Sequence, residues 1–162
     1  MIIVGDEHDE IVEILADLCD EGGYSEICAY HVWENYKPIP IILPRRGRPL
    51  VENFNPDVWA ETKLRLLDIY EVWHTESELD AIQDILFSAL AKNVQYLHII
   101  CTGEYITKER AEDLVDLILS KLYNEKGHHL LHPGYVYVAS IPGEMRRNKK
   151  AIKRHLRKTL KF

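Results

Sequence analysis

Three glycine–acid pairs offer the most open chemistry in this chain: Gly5-Asp6, Gly103-Glu104 and Gly143-Glu144, each following a short apolar run. Glycine suits a tight strand-to-helix turn. An acid at a helix start gains ~0.3–1 kcal/mol from the helix dipole, so each residue taken singly needs no further account. Taken together they suggest more. If the three runs are neighbouring parallel strands, Asp6, Glu104 and Glu144 line the carboxyl edge where open α/β sheets bind ligands. Carboxylates gathered there are the hard oxygen donors that Mg²⁺ prefers, and they would make the chain a metal-dependent nuclease or other hydrolase. His128 and His132 have the i, i+4 spacing of zinc ligands and, with Asp6 and Glu104, complete the metal candidates. Pro133 pushes His132 towards an extended backbone, which favours a polar approach to a strand over a helical zinc pair.

The cations are unevenly placed. The net charge of −6 divides into −14 over residues 1–143 (11 Lys/Arg against 25 Asp/Glu) and +8 over residues 144–162 (9 Lys/Arg against Glu144). Arg146, Arg147, Lys149, Lys150, Lys153, Arg154, Arg157 and Lys158 therefore form a basic C-terminal helix, a candidate surface for nucleic acid or an acidic protein partner. The alternative is that these cations pair with the acidic body of the same molecule. A second basic cluster is Arg45, Arg46 and Arg48. Its core, Arg46-Gly47-Arg48-Pro49, resembles the AT-hook, a short arm for the minor groove of A·T-rich DNA. Its flanks, Leu43 and Leu50-Val51, are apolar, unlike those of such arms. Pro56-Asp57 followed by Glu61-Thr62-Lys63 superficially resembles a PD…ExK nuclease pattern. That site takes its acids from different strands, whereas these residues share one expected helix, so the match is set aside.

The elements that would position these groups follow from periodicity. Apolar residues at 11, 12, 14, 15, 18 and 19 have helical spacing, and Gly22-Gly23 ends that helix. Residues 27–33 and 38–43 read as strands, and 44–56, with three prolines, as an irregular loop. Asn55-Pro56 is expected to open a helix carrying Trp59, Leu66, Tyr70 and Trp73 on one side. Thr75 and Glu78 form a capping-box pattern before a helix with Leu79, Ile82, Leu86 and Leu90. Val94–Cys101 is apolar on both faces except Gln95 and His98, as buried parallel strands are. Thr107 caps the next helix, 135–139 is the last strand, and the basic helix presents Met145, Ile152, Leu156 and Leu160 to the core. The whole of 1–162 reads as a single α/β domain, a mostly parallel central sheet flanked by helices in three layers, flavodoxin-like or Rossmann-like.

The first thirty residues resemble the start of a response-regulator receiver domain. The matching features are Ile2-Ile3-Val4-Gly5-Asp6-Glu7, the helix at 8–20 and Gly23-Tyr24; Thr102 and Pro142 match by position. The resemblance implies a flavodoxin-like fold and a regulatory role. The departures concern the chemistry. Gly5 stands for one acid of the family's pair, Leu43-Pro44-Arg45 stands where its phosphoacceptor Asp belongs, and Ile141 replaces its lysine.

The expectation is thus a non-catalytic regulatory or binding protein of receiver-like architecture. The alternatives are a nucleic-acid-binding protein using the 45–48 arginines and the basic helix, and a Mg²⁺-dependent hydrolase. Cys19, Cys28 and Cys101 show no C-x-x-C pairing, which points to a reducing, cytoplasmic compartment. No apolar run suits a membrane span, and the N-terminus lacks the form of a signal peptide. Trp33, Trp59 and Trp73 are candidates for a homodimer contact, core burial being the simpler account.

Overall fold

In the computed structural model, which describes residues 7–43, 46–126, 131–160 and 162, the 3.6-residue stripe beginning at Ile11 forms helix α1 (Glu7–Glu21). Asp6, Arg45, His128 and the expected strand at 1–4 lie outside the described residues. A short strand, β1 (Glu26–Ala29), follows, and a left-handed residue, His31 (φ 64°), turns the chain away from it.

The expected helix from Asn55 is instead two antiparallel strands, β4 (Val58–Glu61) and β5 (Leu67–Trp73). Val58-Trp59 and Ile69-Tyr70-Glu71-Val72-Trp73 are β-branched and aromatic runs that fit a pleated surface buried on both sides. Thr62–Arg65 closes the turn: Arg65 adopts φ 62°, and Thr62 Oγ1 accepts from Leu66 N–H at 3.2 Å. Trp59, Tyr70 and Trp73 do not share one helical stripe. Trp59 and Trp73 face one side of the sheet and Tyr70 the other, and all three are core residues.

The supposed loop at 44–56 also contains a strand. β2 (Ile39–Leu43) and β3 (Leu50–Phe54) pair as an antiparallel hairpin that forms a sheet of its own. The segment that the receiver resemblance aligns with the acceptor strand therefore lies outside the central sheet.

Beyond β5, helix α2 (Glu78–Leu90) is capped by Ser77, not Thr75: Ser77 Oγ accepts from Asp80 N–H at 3.2 Å. β6 (Val94–Cys101) has the bounds expected from its two-sided apolarity and sits between parallel neighbours. Thr107 caps α3 (Lys108–Lys126) as expected. β7 (Val136–Ser140) follows. The basic helix, α4 (Lys149–Thr159), starts at the Asn148 cap, so it is shorter than 144–162.

The central sheet has the order β1-β4-β5-β6-β7. β5, β6 and β7 are mutually parallel. β4 is antiparallel to both its neighbours, so β1 runs the same way as β5–β7 and only β4 is reversed. One face packs on α2, α3 and the β2–β3 hairpin, and the other on α1 and α4. The fold is thus mixed α/β with helices on both faces. No helix among the described residues is long and apolar enough to cross a membrane.

Each face has its own core, separated by one layer of backbone. Leu15, on α1, and Ile85, on α2, are both fully buried, on opposite faces. Leu15→Ala should cost about 2–5 kcal/mol and Ile85→Val about 1 kcal/mol in urea unfolding. Sites with no shared partner add. The double variant should therefore lose the sum, and a departure of more than about 1 kcal/mol would show that the two cores are coupled.

Candidate active site

Because β4 is reversed, its first residue lies at the edge where β5, β6 and β7 end. Asp57, just before β4, therefore meets the last residues of β5. Its Oδ2 accepts from Val72 N–H at 2.8 Å, and its own N–H donates to Glu71 Oε1 at 3.2 Å. The acid at the entry to β4 and the acid on β5 are locked together, each contact joining a side chain to a backbone N–H. Glu71 is 4% exposed, and its side chain reaches Asp84 of α2, which also accepts from Trp73 Nε1 at 3.1 Å.

Burial raises the Glu71 carboxyl well above the usual carboxylate range, and the charges of Asp84 and Asp57 add to the effect. Burial likewise pushes Asp84 up to about 7, while its hydrogen bond from Glu71 pulls the other way. The shift favours the protonated form of Glu71, hydrogen-bonded to Asp84. This is the separation of two interacting acids that functional sites use.

The start of α1 closes the other side. His8 Nε2 lies 3.3 Å from Asp57 Oδ1 and 3.6 Å from Glu76 Oε1, with Nδ1 3.2 Å from Asp9 Oδ1. Burial alone would lower its pKa. The hydrogen bonds and charges of Asp57, Asp9 and Glu76 outweigh that and push it up to about 10, so His8 is an imidazolium. Beside it, Arg146 grips both Glu7 oxygens, through Nε and a terminal nitrogen, each at 2.7 Å, and also bonds Glu104. That guanidinium holds the Glu7 carboxyl below its ordinary value against the opposing effect of burial. His74 bridges inward, with Nδ1 2.8 Å from Thr102 Oγ1 and Nε2 3.6 Å from Glu7 Oε2.

Of the two glycine–acid candidates among the described residues, Glu104 joins this edge, where Arg146 holds it. Glu144 is exposed in a single 3-10 turn, Gly143–Met145. His132 is exposed too, and its Nδ1 accepts from Gly134 N–H at 2.9 Å, which makes it a turn cap. The cations of the basic segment turn largely onto α1. Arg147 meets Glu10, Lys153 and Arg157 both meet Glu21, and Lys149 and Lys150 line a groove with Glu13 and Asp17. Arg154 and Lys158 are exposed, as are Arg46 and Arg48 on the other face of the sheet. The two basic clusters do not form one surface.

No protein-family model, curated protein or solved structure matches this chain. The site therefore has to be read from its own geometry. Asp57, Glu71, Asp84, Glu7, His8 and His74 were not among the sequence candidates. Along the sequence Asp57 aligns with Glu61, at the end of β4, whereas its partner in the fold is Glu71, across the turn. The available signal was Glu71 itself, an acid inside the apolar run Ile69–Trp73.

Asp84 and His8 each bind protons more tightly in the folded protein than in the unfolded chain. Stability therefore falls as pH rises through each window. For Asp84 the window runs from its ordinary 3.8 to about 7, and for His8 from 6.5 to about 10. Asp84→Asn should flatten the first decline and His8→Gln the second, read from urea midpoints against pH. Slopes equal to wild type would exclude these residues as the source.

Proposed function

We propose that the chain is a divalent-cation-dependent phosphodiester hydrolase of the nuclease type, built on Asp57 and Glu71. The observation that carries this reading is that Asp57, at the entry to β4, meets Glu71 of the neighbouring antiparallel strand β5, and not an acid on a shared helix. Pro56-Asp57 leads directly into β4, and Glu71-Val72-Trp73 ends β5.

The donor chemistry suits a hard cation such as Mg²⁺. Among the described residues no three His, Cys, Asp or Glu side chains already converge on one point, and the His8 imidazolium stands between Asp57 and Glu76. An ion would replace that internal cation at Asp57 and draw the proton from Glu71. Its binding should therefore strengthen as pH rises. When bound, it would polarise a phosphoryl oxygen and acidify its water. The chain's own groups supply the remainder. His8, left beside Asp9 and Glu76, would be the side chain placed to give a proton to a leaving oxygen. Behind the two ligands, Asp84, bonded by Trp73 Nε1, would hold the Glu71 carboxyl in place. Arg146 and His74 fix Glu7 at the rim.

A second reading rests on Trp73. It stands where the pattern has its lysine, is 1% exposed, and donates to Asp84. A chain without that cation would be a non-catalytic binding or regulatory protein on the same scaffold.

A nuclease assay on duplex and single-stranded DNA with Mg²⁺ or Mn²⁺ separates the two. Under the first reading, cleavage appears with one of these ions, is abolished by EDTA, and falls at least about 100-fold in Asp57→Asn and in Glu71→Gln. No cleavage with either ion would remove the hydrolase reading and leave the second.

A further inference from the structure

We infer that the β2–β3 hairpin is an arm for duplex DNA, its tip arginines entering the minor groove. This deepens the hydrolase reading by naming its substrate class, and as a statement about substrate it rests on that reading.

The hairpin is built as an arm. It belongs to neither face of the central sheet by hydrogen bonding. Only its inner side is anchored: Ile39, Ile41 and Phe54 are buried, and Phe54 meets Phe87 of α2 edge-to-face at 5.6 Å. Its outer side shows Ile42 and Val51, 53% and 59% exposed, directly opposite each other in the register. At the tip Arg46, Gly47, Arg48 and Pro49 are all exposed. Gly47 takes φ +85°, a conformation that a side chain would strain, so the turn presents the two arginines on either side of it.

Three features select the occupant. The first is charge. No acid occurs from Pro38 to Val51, although residues 1–143 carry a net −14. The nearest acid along the chain is Glu52, four residues past Arg48 on β3, so Arg46 and Arg48 are the charges that the exposed tip presents. The second is shape. A two-stranded ribbon with arginines and a proline at its end matches how minor-groove arms work, arginines seeking the narrow groove of A·T tracts and apolar side chains lying along it. The apolar flanks, which argue against an AT-hook in the sequence, are the paired strand residues of such a ribbon. The third is position. β3 ends at Phe54, three residues before Asp57, so the arm rises from the rim of the carboxylate site.

The test is fluorescence anisotropy of the full chain in EDTA, titrating an A·T-rich DNA duplex, a G·C-rich duplex and an RNA duplex across a salt series. The A·T-rich duplex should bind tightest. Arg46→Ala with Arg48→Ala should weaken it about tenfold or more at low salt and reduce the log–log salt slope by about 2. Arg154→Ala with Lys158→Ala, on α4, should leave both unchanged. The inference is overturned by no duplex binding at low salt, by an unaltered slope in the arm variant, or by equally tight RNA binding, since the wide RNA minor groove offers no such fit. Duplex binding that depends on Arg46 and Arg48, without metal-dependent cleavage, would keep the arm and remove the hydrolase. Cleavage that the arm variant retains in full, with unaltered binding, would do the reverse.

Discussion

The contact of Asp57 with the Glu71 carboxyl and the Val72 N–H is the constraint on which both sheet and site depend. It fixes the register of the reversed strand against β5 and sets two carboxyl groups side by side at the same time. A slip of either strand by one residue would turn its side chains, Trp59 or Tyr70 and Trp73, into the opposite core. The cost is a cluster of acids in a poorly solvated place. The structure offsets it in two ways, by keeping a proton on Glu71 and by inserting the His8 imidazolium. Both devices stabilise the fold while holding the site ready to exchange cations or protons.

The C-terminal cations take part in a different balance. α4 lies along α1, where Glu10 and Glu21 each receive guanidinium or ammonium groups. Exposed pairs of this kind contribute little individually, about 0–1 kcal/mol. Arg146 is the exception, since its partner Glu7 is only 8% exposed and the contact is bidentate. Much of the +8 charge of the last residues is therefore spent inside the molecule, which is why the nucleic-acid argument passes from the helix to the hairpin.

What could be read in advance depended on whether a residue's neighbours in sequence were also its neighbours in space. α1, β6 and the Thr107 cap are local patterns, and they appear where periodicity places them. The mixed α/β class also follows from local signals. The 58–73 segment misleads because Trp59, Leu66, Tyr70 and Trp73 fall near helical spacing, while the turn at Thr62–Arg65 relies on a left-handed arginine that composition does not announce. Once that segment is taken for a helix, Asp57 and Glu71 cannot be seen as partners. Glu104 could be anticipated at the carboxyl edge because it directly follows a well-defined strand. His8 and His74 could not, since their carboxylates come from elements far away in the chain.

The link between β1 and β4 carries one more consequence. These strands are hydrogen-bonded neighbours, and Tyr30 N–H donates to the Asp57 carbonyl at 2.8 Å, closing the base of everything between them. Residues 31–56, the hairpin included, thus leave and re-enter the sheet at a single clasped point. Such a segment can lengthen, shorten or change its tip without altering the register of any strand in the central sheet. In this architecture the reach of the hairpin and the chemistry at its base can vary independently. Related chains could then differ in what they grasp while keeping the same carboxylates.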